Sequence, residues 1–198
     1  MAEVSAAAVK DLREKTGAGM MDCKKALQEA DGEFEKAVEI LRKKGIASAA
    51  KRAGRSVKEG RIEAYIHPGS KLGVLLEVNC ETDFVANTAD FKTFTRDVAM
   101  QIAASAPLFI RREEVTQALI DKEMEIYREQ ARQQGKPEKI LDKIASGKLD
   151  KFYSEICLLE QPFVKDPDKT IQVLLSETIG KLGENIDIRR FSRFKVGE

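Results

Sequence analysis

Apolar residues recur at helical spacing through the first fifty residues of the chain. Three stretches each place an apolar stripe on one face of a helix: residues 5–16, 20–30 and 34–44. Ser5 stands at the N-cap position of the first stretch, and the third ends around Lys44 and Gly45. Short amphipathic helices joined by glycine-containing turns predict a three-helix bundle over residues 1–50, a size typical of small binding modules.

The stretch that follows is basic and nearly free of large apolar side chains. From Lys43 to Lys58, lysine and arginine are interspersed with alanine, glycine and serine. We interpret residues 46–60 as the tail of the third helix followed by a linker, residues 51–60, between two domains. An alternative hypothesis is that the basic stretch contacts the phosphates of a nucleic acid, although no aromatic residue is interleaved to stack on bases.

Strand periodicity begins after the linker. Residues 61–66 alternate between apolar and polar, residues 67–71 contain a Pro-Gly pair typical of a turn, and residues 72–78 return as a mostly apolar strand. Residues 186–196 alternate again, with a slip in phase near Arg190 that indicates a bulge. These segments predict a three-stranded antiparallel sheet, and together with the helices an α+β fold.

Amphipathic helices account for most of the remaining chain. Residues 89–106 should pack an apolar face against the sheet. Two charged helical stretches lie on either side of Gly135-Lys136-Pro137 and predict an antiparallel hairpin at about residues 113–157, interrupted at Gly147 and protruding from the core. We expect this hairpin to be part of a core domain over residues 61–198.

A segment with two prolines precedes the last predicted helix. Residues 161–168 are expected to form a loop. Asp168 is in position to cap the helix that carries Ile171 and Ile179 and stops near Gly183.

A short acidic segment, Asn79 to Asn87, joins the second strand to the next helix. It contains Asp83 beside Phe84, and an exposed phenylalanine gains nothing from water. Two alternatives are open. Either Asp83 caps a turn or the next helix while Phe84 packs inward beside Phe91, or the scaffold presents both residues to a binding partner.

Composition narrows the class of protein. The 198 residues contain 34 lysines and arginines against 33 aspartates and glutamates, so no net field draws the chain to nucleic acid or to a membrane. Aromatic residues make up 6% and tryptophan is absent, which disfavours a base-stacking surface. The widely spaced Cys23, Cys80 and Cys157 favour a reducing compartment. Because the sequence carries no signal peptide or membrane-spanning segment, we expect a cytoplasmic protein.

Signatures of catalysis are missing from the sequence. It contains no phosphate-binding glycine motif, HExxH, GxSxG or paired CxxC, and His67 is the only histidine. Cys80 and His67 belong to opposite ends of one strand, about 20 Å apart at roughly 3.3 Å per residue, too far for a nucleophile and its base. Glu81 and Asp83 lack a third ligand for a divalent ion. We therefore expect no enzyme, metal or cofactor, and we rank a magnesium- or cysteine-dependent enzyme lowest.

Two long motifs resemble the signatures of the bacterial translation elongation factor Ts family. The first is LREKTGAGMMDCKKAL, from Leu12 to Leu27, and the second is EVNCETDFVA, from Glu77 to Ala86. Shorter matches at residues 135–137 and 161–164 extend the resemblance over essentially the whole chain.

The resemblance implies a fold and a function. The N-terminal three-helix bundle would be ubiquitin-associated-like, followed by a three-stranded antiparallel sheet packed with helices and a protruding antiparallel helical hairpin. The function would be guanine nucleotide exchange on elongation factor Tu, the GTPase that delivers aminoacyl-tRNA to the ribosome. No nucleic-acid or membrane partner is implied.

The resemblance also implies roles for particular residues. The segment that displaces Mg²⁺ from the partner's nucleotide site would be Thr82, Asp83, Phe84 and Val85. Residues that contact the partner elsewhere would be Arg13, Met20, Met21 and His67. Longer members carry two related core units, whereas this chain has one predicted sheet, so its resemblance to the short form implies a homodimer and a 2:2 complex.

Overall fold

The computed structural model describes residues 4–198 of the chain. Within this range the helices and strands follow in the order α1 (Ala6–Thr16), α2 (Met20–Glu29), α3 (Phe34–Arg52), β1 (Glu59–Ile66), β2 (Leu72–Cys80), α4 (Asp83–Ala86), α5 (Ala89–Ser105), α6 (Gln117–Gln133), α7 (Glu138–Ile156), β3 (Pro162–Phe163), β4 (Asp166–Thr170), α8 (Ile171–Leu182) and β5 (Ile186–Lys195). The predicted α+β class is confirmed.

The chain divides into two compact units that are each assembled from separate stretches of sequence. Unit 1 comprises the residues up to Glu63, Leu76–Arg96 and Val173–Arg189. Unit 2 comprises Ala64–Leu75, Asp97–Gln172 and Arg190–Glu198. The division into a module at 1–50, a linker at 51–60 and a core domain stays a prediction.

Helices α1 to α3 form the bundle in unit 1 that the apolar stripes predict. Ser5 caps α1, since its side-chain oxygen accepts a hydrogen bond from the Ala8 amide at 3.2 Å. The apolar face of each helix supplies fully buried core residues: Leu12, Cys23, Ala26, Leu27 and Ala37.

The apolar stripe of α3 ends around Gly45, but the helix itself continues to Arg52, two residues into the expected linker. A helical glycine costs only about 1 kcal/mol relative to alanine, and the residues that follow are good helix formers. In unit 1 Gly45 serves close helix packing instead. A Cβ atom added to Gly180 on α8 would lie 3.4 Å from the Gly45 Cα, so these two helices approach at residues without side chains.

The predicted three-stranded antiparallel sheet is confirmed, in the strand order β1-β2-β5. The His67 amide donates to the Leu72 carbonyl oxygen at 2.9 Å and closes the turn between β1 and β2. Alternate side chains of β2 are buried: Val74, Leu76, Val78 and Cys80. On β5 the alternation is lost at Arg189 and Arg190, which are both exposed, at the position of the expected phase slip.

The two helices predicted around Gly135 are present and form a hairpin in unit 2. Arg128 on α6 pairs with Asp142 on α7 at 2.8 Å, and Arg132 pairs with Glu138 at 3.0 Å. The expected interruption at Gly147 is wrong, because α7 runs unbroken through it.

The expected loop at residues 161–168 is partly wrong. Pro162 and Phe163 form β3, which pairs antiparallel with β4. A two-residue strand that begins with proline has no periodicity to read, so the sequence gives no signal for it. Asp168 lies inside β4 rather than at a cap, because α8 begins directly after that strand.

Candidate functional site

The acidic segment after β2 contains one turn of helix, α4. Thr82 is its N-cap, and the Thr82 hydroxyl oxygen accepts a hydrogen bond from the Val85 amide at 3.4 Å. At the other end of the turn the Asn87 side-chain amide donates to the Asp83 carbonyl oxygen at 2.9 Å. We call residues Thr82–Val85 the α4 segment.

Asp83 is the first residue of α4, not its cap, so the capping alternative for this side chain is wrong. Its carboxylate is exposed at the positive end of the helical turn, where a negative charge is tolerated well. The position therefore presents an anionic group to solvent.

Phe84 lies on the outer side of α4 and is 81% exposed. The alternative in which it packs in the core beside Phe91 is wrong, because Phe91 is fully buried without it. Ala86 supplies the buried contact of the turn, and Val85 is half-buried. The short helix thus turns its largest apolar side chain toward solvent.

Glu184, in the turn before β5, holds the base of the α4 segment. Its Oε2 accepts hydrogen bonds from the backbone amides of Glu81 at 3.1 Å and Thr82 at 3.0 Å. Its Oε1 accepts from the Thr82 hydroxyl at 2.6 Å. The hydroxyl contact at 2.6 Å has the length typical of hydrogen bonds to a carboxylate, which are about twice as strong as neutral ones.

Glu81, which follows the end of β2, in turn binds the turn that carries Glu184. The Glu81 carboxylate accepts from the Asn185 amide at 2.7 Å and from the Arg55 guanidinium at 3.4 Å. The Asn185 side chain in turn donates to the Arg55 carbonyl oxygen at 3.0 Å. The hydrogen bond from the Asn185 amide, assisted by the charge of Arg55, holds the pKa of Glu81 below its usual range.

Sequence reasoning missed Glu184, Asn185 and Arg55. Glu184 lies 102 residues from Thr82, and no spacing rule connects a turn residue to a partner at that distance. The only signal was a run of polar residues just after the predicted helix stop at Gly183.

Cys80 ends β2 with a buried thiol that donates to the Thr82 carbonyl oxygen at 3.1 Å. Burial raises the pKa of Cys80 to about 11, and the Glu184 carboxylate adds to the increase. At neutral pH the sulfur is therefore protonated, which disfavours the cysteine-dependent enzyme considered from the sequence.

Arg13, Met20 and Met21 also lie in unit 1, on either side of the turn between α1 and α2. All three are exposed, with 47% of Met20 and 62% of Met21 accessible. Adjacent methionines exposed to solvent are well suited to an adaptable apolar contact. His67 belongs to unit 2, where it is exposed and its Nδ1 lies 3.0 Å from the Tyr65 hydroxyl.

Several charged side chains of the basic stretch from Lys43 to Lys58 contact other residues of unit 1. Lys44 pairs with Glu29 at 2.6 Å, Arg52 donates to the Gly183 carbonyl oxygen at 3.0 Å, and Arg55 binds Glu81. These contacts give the basic side chains a role in stabilising the fold that needs no nucleic acid.

Among residues 4–198 no group of three His, Cys, Asp or Glu could hold a metal ion, and no helix could span a membrane.

An apolar hollow of about 500 Å³ lies on the strands of unit 2. Its lining includes four large apolar side chains that are at least half exposed: Ile66, Leu75, Phe194 and Val196. Apolar side chains clustered in this way typically mark an interaction surface.

Comparisons with known proteins agree with the two motifs. The family model described as elongation factor TS matches residues 3–198. The chain is 60% identical over 198 residues to elongation factor Ts of Desulforamulus reducens, covering 100% of this chain and 91% of that protein. Elongation factor Ts of Carboxydothermus hydrogenoformans is 62% identical over 96% of this chain and 88% of its own length. The protein of the same name from Thermoanaerobacter pseudethanolicus is 61% identical over 98% and 96%.

Proposed function

The chain belongs to the elongation factor Ts family, and we propose that it is a guanine nucleotide exchange factor for elongation factor Tu that promotes GDP release by disturbing the Mg²⁺ and phosphate site. The observation that carries the mechanism is Phe84, an aromatic side chain 81% exposed on a helical turn whose base is held by Glu184. In this proposal the protein forms and breaks no covalent bond itself.

Phe84 acts as an anchor that enters an apolar pocket of the GTPase beside the nucleotide. Large aromatic side chains buried at the centre of an interface dominate its energy. The helical turn brings Asp83 to the same place, and Thr82 and Val85 complete the segment that meets the partner.

Asp83 carries a negative charge toward a site that already holds phosphates and a divalent cation. Displacing that cation, or distorting its ligand shell, removes the main counter-charge of the phosphates. GDP is then held less tightly and dissociates faster. Because the coupling between the two ligands is reciprocal, GDP and the exchange factor weaken each other's binding by the same factor, and a fresh nucleotide can release the exchange factor.

The bundle and His67 supply contacts away from the nucleotide. Met20 and Met21 offer an adaptable apolar surface, and Arg13 adds a cation at the end of α1. His67 meets a second domain of the GTPase. These contacts hold the two proteins together while the α4 segment acts on the nucleotide site.

The hollow in unit 2 is the surface for a second copy of the chain. A homodimer covers Ile66, Leu75, Phe194 and Val196, whose exposure in a single copy is costly in water. With one GTPase bound to each copy, the assembly is a 2:2 complex.

The proposed function is tested by the release of a fluorescent GDP analogue from purified elongation factor Tu. Adding the protein should accelerate release in proportion to its concentration and then saturate. Chelation of Mg²⁺ should raise the basal rate and shrink the acceleration, because the proposed mechanism acts through the metal site. Release that is not accelerated at any concentration would refute the proposal.

A further inference from the structure

We propose that Glu184 is a positioning residue for nucleotide exchange, whose carboxylate keeps the α4 segment in the conformation that presents Phe84. The inference rests on the proposed function of the α4 segment. Glu184 itself need not touch the GTPase.

The carboxylate of Glu184 is committed to the start of α4. Both of its oxygens accept hydrogen bonds, two from consecutive backbone amides and one from the Thr82 hydroxyl. The side chain is half-buried, so these bonds are partly shielded from competing water.

The third of these bonds fixes the helix cap. The Thr82 hydroxyl has one hydrogen, which it donates to Glu184 Oε1 at 2.6 Å. Its oxygen lone pairs are then left for the Val85 amide, at 3.4 Å. Glu184 therefore sets the rotation of the hydroxyl that caps α4, and without the carboxylate this hydroxyl can turn elsewhere.

Helix α4 depends on its cap more than a longer helix does. It has four residues, whereas isolated helices shorter than about 12 residues are marginal in water. Ala86 is the buried residue of the turn, and Phe84 contributes no packing because it is exposed. Preorganisation of the segment must come from contacts at its ends.

The fold around the segment has a separate tether that does not involve the Glu184 side chain. Glu81 binds the Asn185 amide, and the Asn185 side chain binds the Arg55 carbonyl oxygen. The turn before β5 thus stays attached to the end of β2 when the Glu184 carboxylate is removed. This separation makes a positioning role distinguishable from a general role in stability.

The test compares wild type with Glu184→Ala, Glu184→Gln and the control Glu39→Ala, which removes an exposed carboxylate paired with Lys43 at 4.0 Å. GDP release from elongation factor Tu is measured against exchange-factor concentration, which separates the maximal rate from the half-saturating concentration. We expect Glu184→Ala to lower the maximal rate about tenfold, the factor that corresponds to losing one hydrogen bond to a charged group. The half-saturating concentration should change less than about threefold, since the bundle contacts remain.

Hydrogen exchange at single amides, measured by NMR without the GTPase, gives an independent readout. Glu184→Ala should lose protection at Glu81, Thr82 and Val85, while the amides of α1 and α2 keep theirs. Glu184→Gln, which retains one acceptor oxygen, should be intermediate in both assays. Glu39→Ala should match wild type.

Each outcome decides the inference. A maximal rate equal to wild type in Glu184→Ala, or a lowered rate with unchanged protection at Thr82 and Val85, overturns it. If Glu184→Ala does not fold, Glu184→Gln decides by the same two criteria. If wild type itself fails to accelerate GDP release, the proposed function fails. Unchanged amide protection in the variants would separately refute the positioning role of Glu184.

Discussion

At the scale of single residues, exposure separates Phe84 from Phe91, which lies seven residues further along the chain. Phe84 is 81% exposed and Phe91 fully buried, so the two side chains should respond to truncation in opposite ways. Phe84→Ala should slow accelerated GDP release about 30-fold, the loss of an interface hot spot of ~2 kcal/mol. Its free energy of unfolding should stay within about 0.5 kcal/mol of wild type, as measured by urea denaturation.

Phe91→Ala is the matched control for that substitution. It removes the same atoms from the core and should cost about 3–5 kcal/mol of stability. A comparable loss of stability in Phe84→Ala would contradict the exposed position of this side chain.

Glu81 gives a prediction about pH. Its folded-state pKa is lowered first by the hydrogen bond from the Asn185 amide and then by Arg55 and Arg52, and these effects outweigh the partial desolvation of the carboxylate, which acts in the opposite sense. A lowered pKa means that the ionised carboxylate stabilises the fold fully above its unfolded pKa of about 4.3, and that this contribution is lost as the pH falls through the folded value. Urea denaturation should therefore find Glu81→Gln less stable than wild type at pH 7, with a difference that shrinks below pH 4. A difference that grows with acid would contradict the lowered pKa.

At the scale of elements, the spacing of apolar residues predicted the helices and strands that are long enough to show a repeat, and it did not predict the shorter ones. The stripes of α1 to α3 and α5 to α7 and the alternation of β1, β2 and β5 extend over several repeats, so the sequence predicts them. Helix α4 has four residues and β3 has two, which is too short for any periodicity. The same limit explains why the pattern of residues did not decide between a buried and an exposed Phe84.

Two glycines at which an apolar stripe was expected to end or to be interrupted lie within helices, because packing outweighs the low helix propensity of glycine. Gly45 and Gly147 both lie inside continuous helices, although a glycine near a helix end or in a charged stretch often marks a break. At Gly147 the cost of glycine is offset by the pairing of α7 with α6, so the residue lowers stability without ending the helix.

Gly147→Ala should therefore stabilise the hairpin. A Cβ atom at this position meets nothing within 4 Å, and the residue has ordinary helical backbone. We expect the free energy of unfolding to rise by about 0.5–1 kcal/mol in urea denaturation. Gly135→Ala, at φ +72 in the turn of the same hairpin, should lower it instead. Equal effects of the two substitutions would contradict this account.

At the scale of the whole molecule, the sequence could not predict which distant segments meet. The end of β2 and the turn before β5 exchange four hydrogen bonds through Glu81 and Glu184, across more than 100 residues of chain. Such contacts depend on the order of strands in the sheet, which single-residue patterns do not specify. The family resemblance identified the α4 segment, but the residue that holds it became visible only in three dimensions.

The apolar hollow in unit 2 carries the last prediction, because it should decide the oligomeric state. If a second copy covers it, light scattering should give about twice the 22.1 kDa chain mass. Phe194→Glu places a charge among Ile66, Leu75 and Val196 and should yield a monomer, since burying an unpaired carboxylate is costly.

Leu108→Glu is the matched control: this leucine is 67% exposed but does not line the hollow, so the variant should remain a dimer. A monomeric wild type, or a Phe194→Glu protein that stays dimeric, would show that another surface or none is used. If the monomeric variant keeps a folded bundle and still accelerates GDP release at higher concentration, exchange needs one copy and the dimer serves affinity.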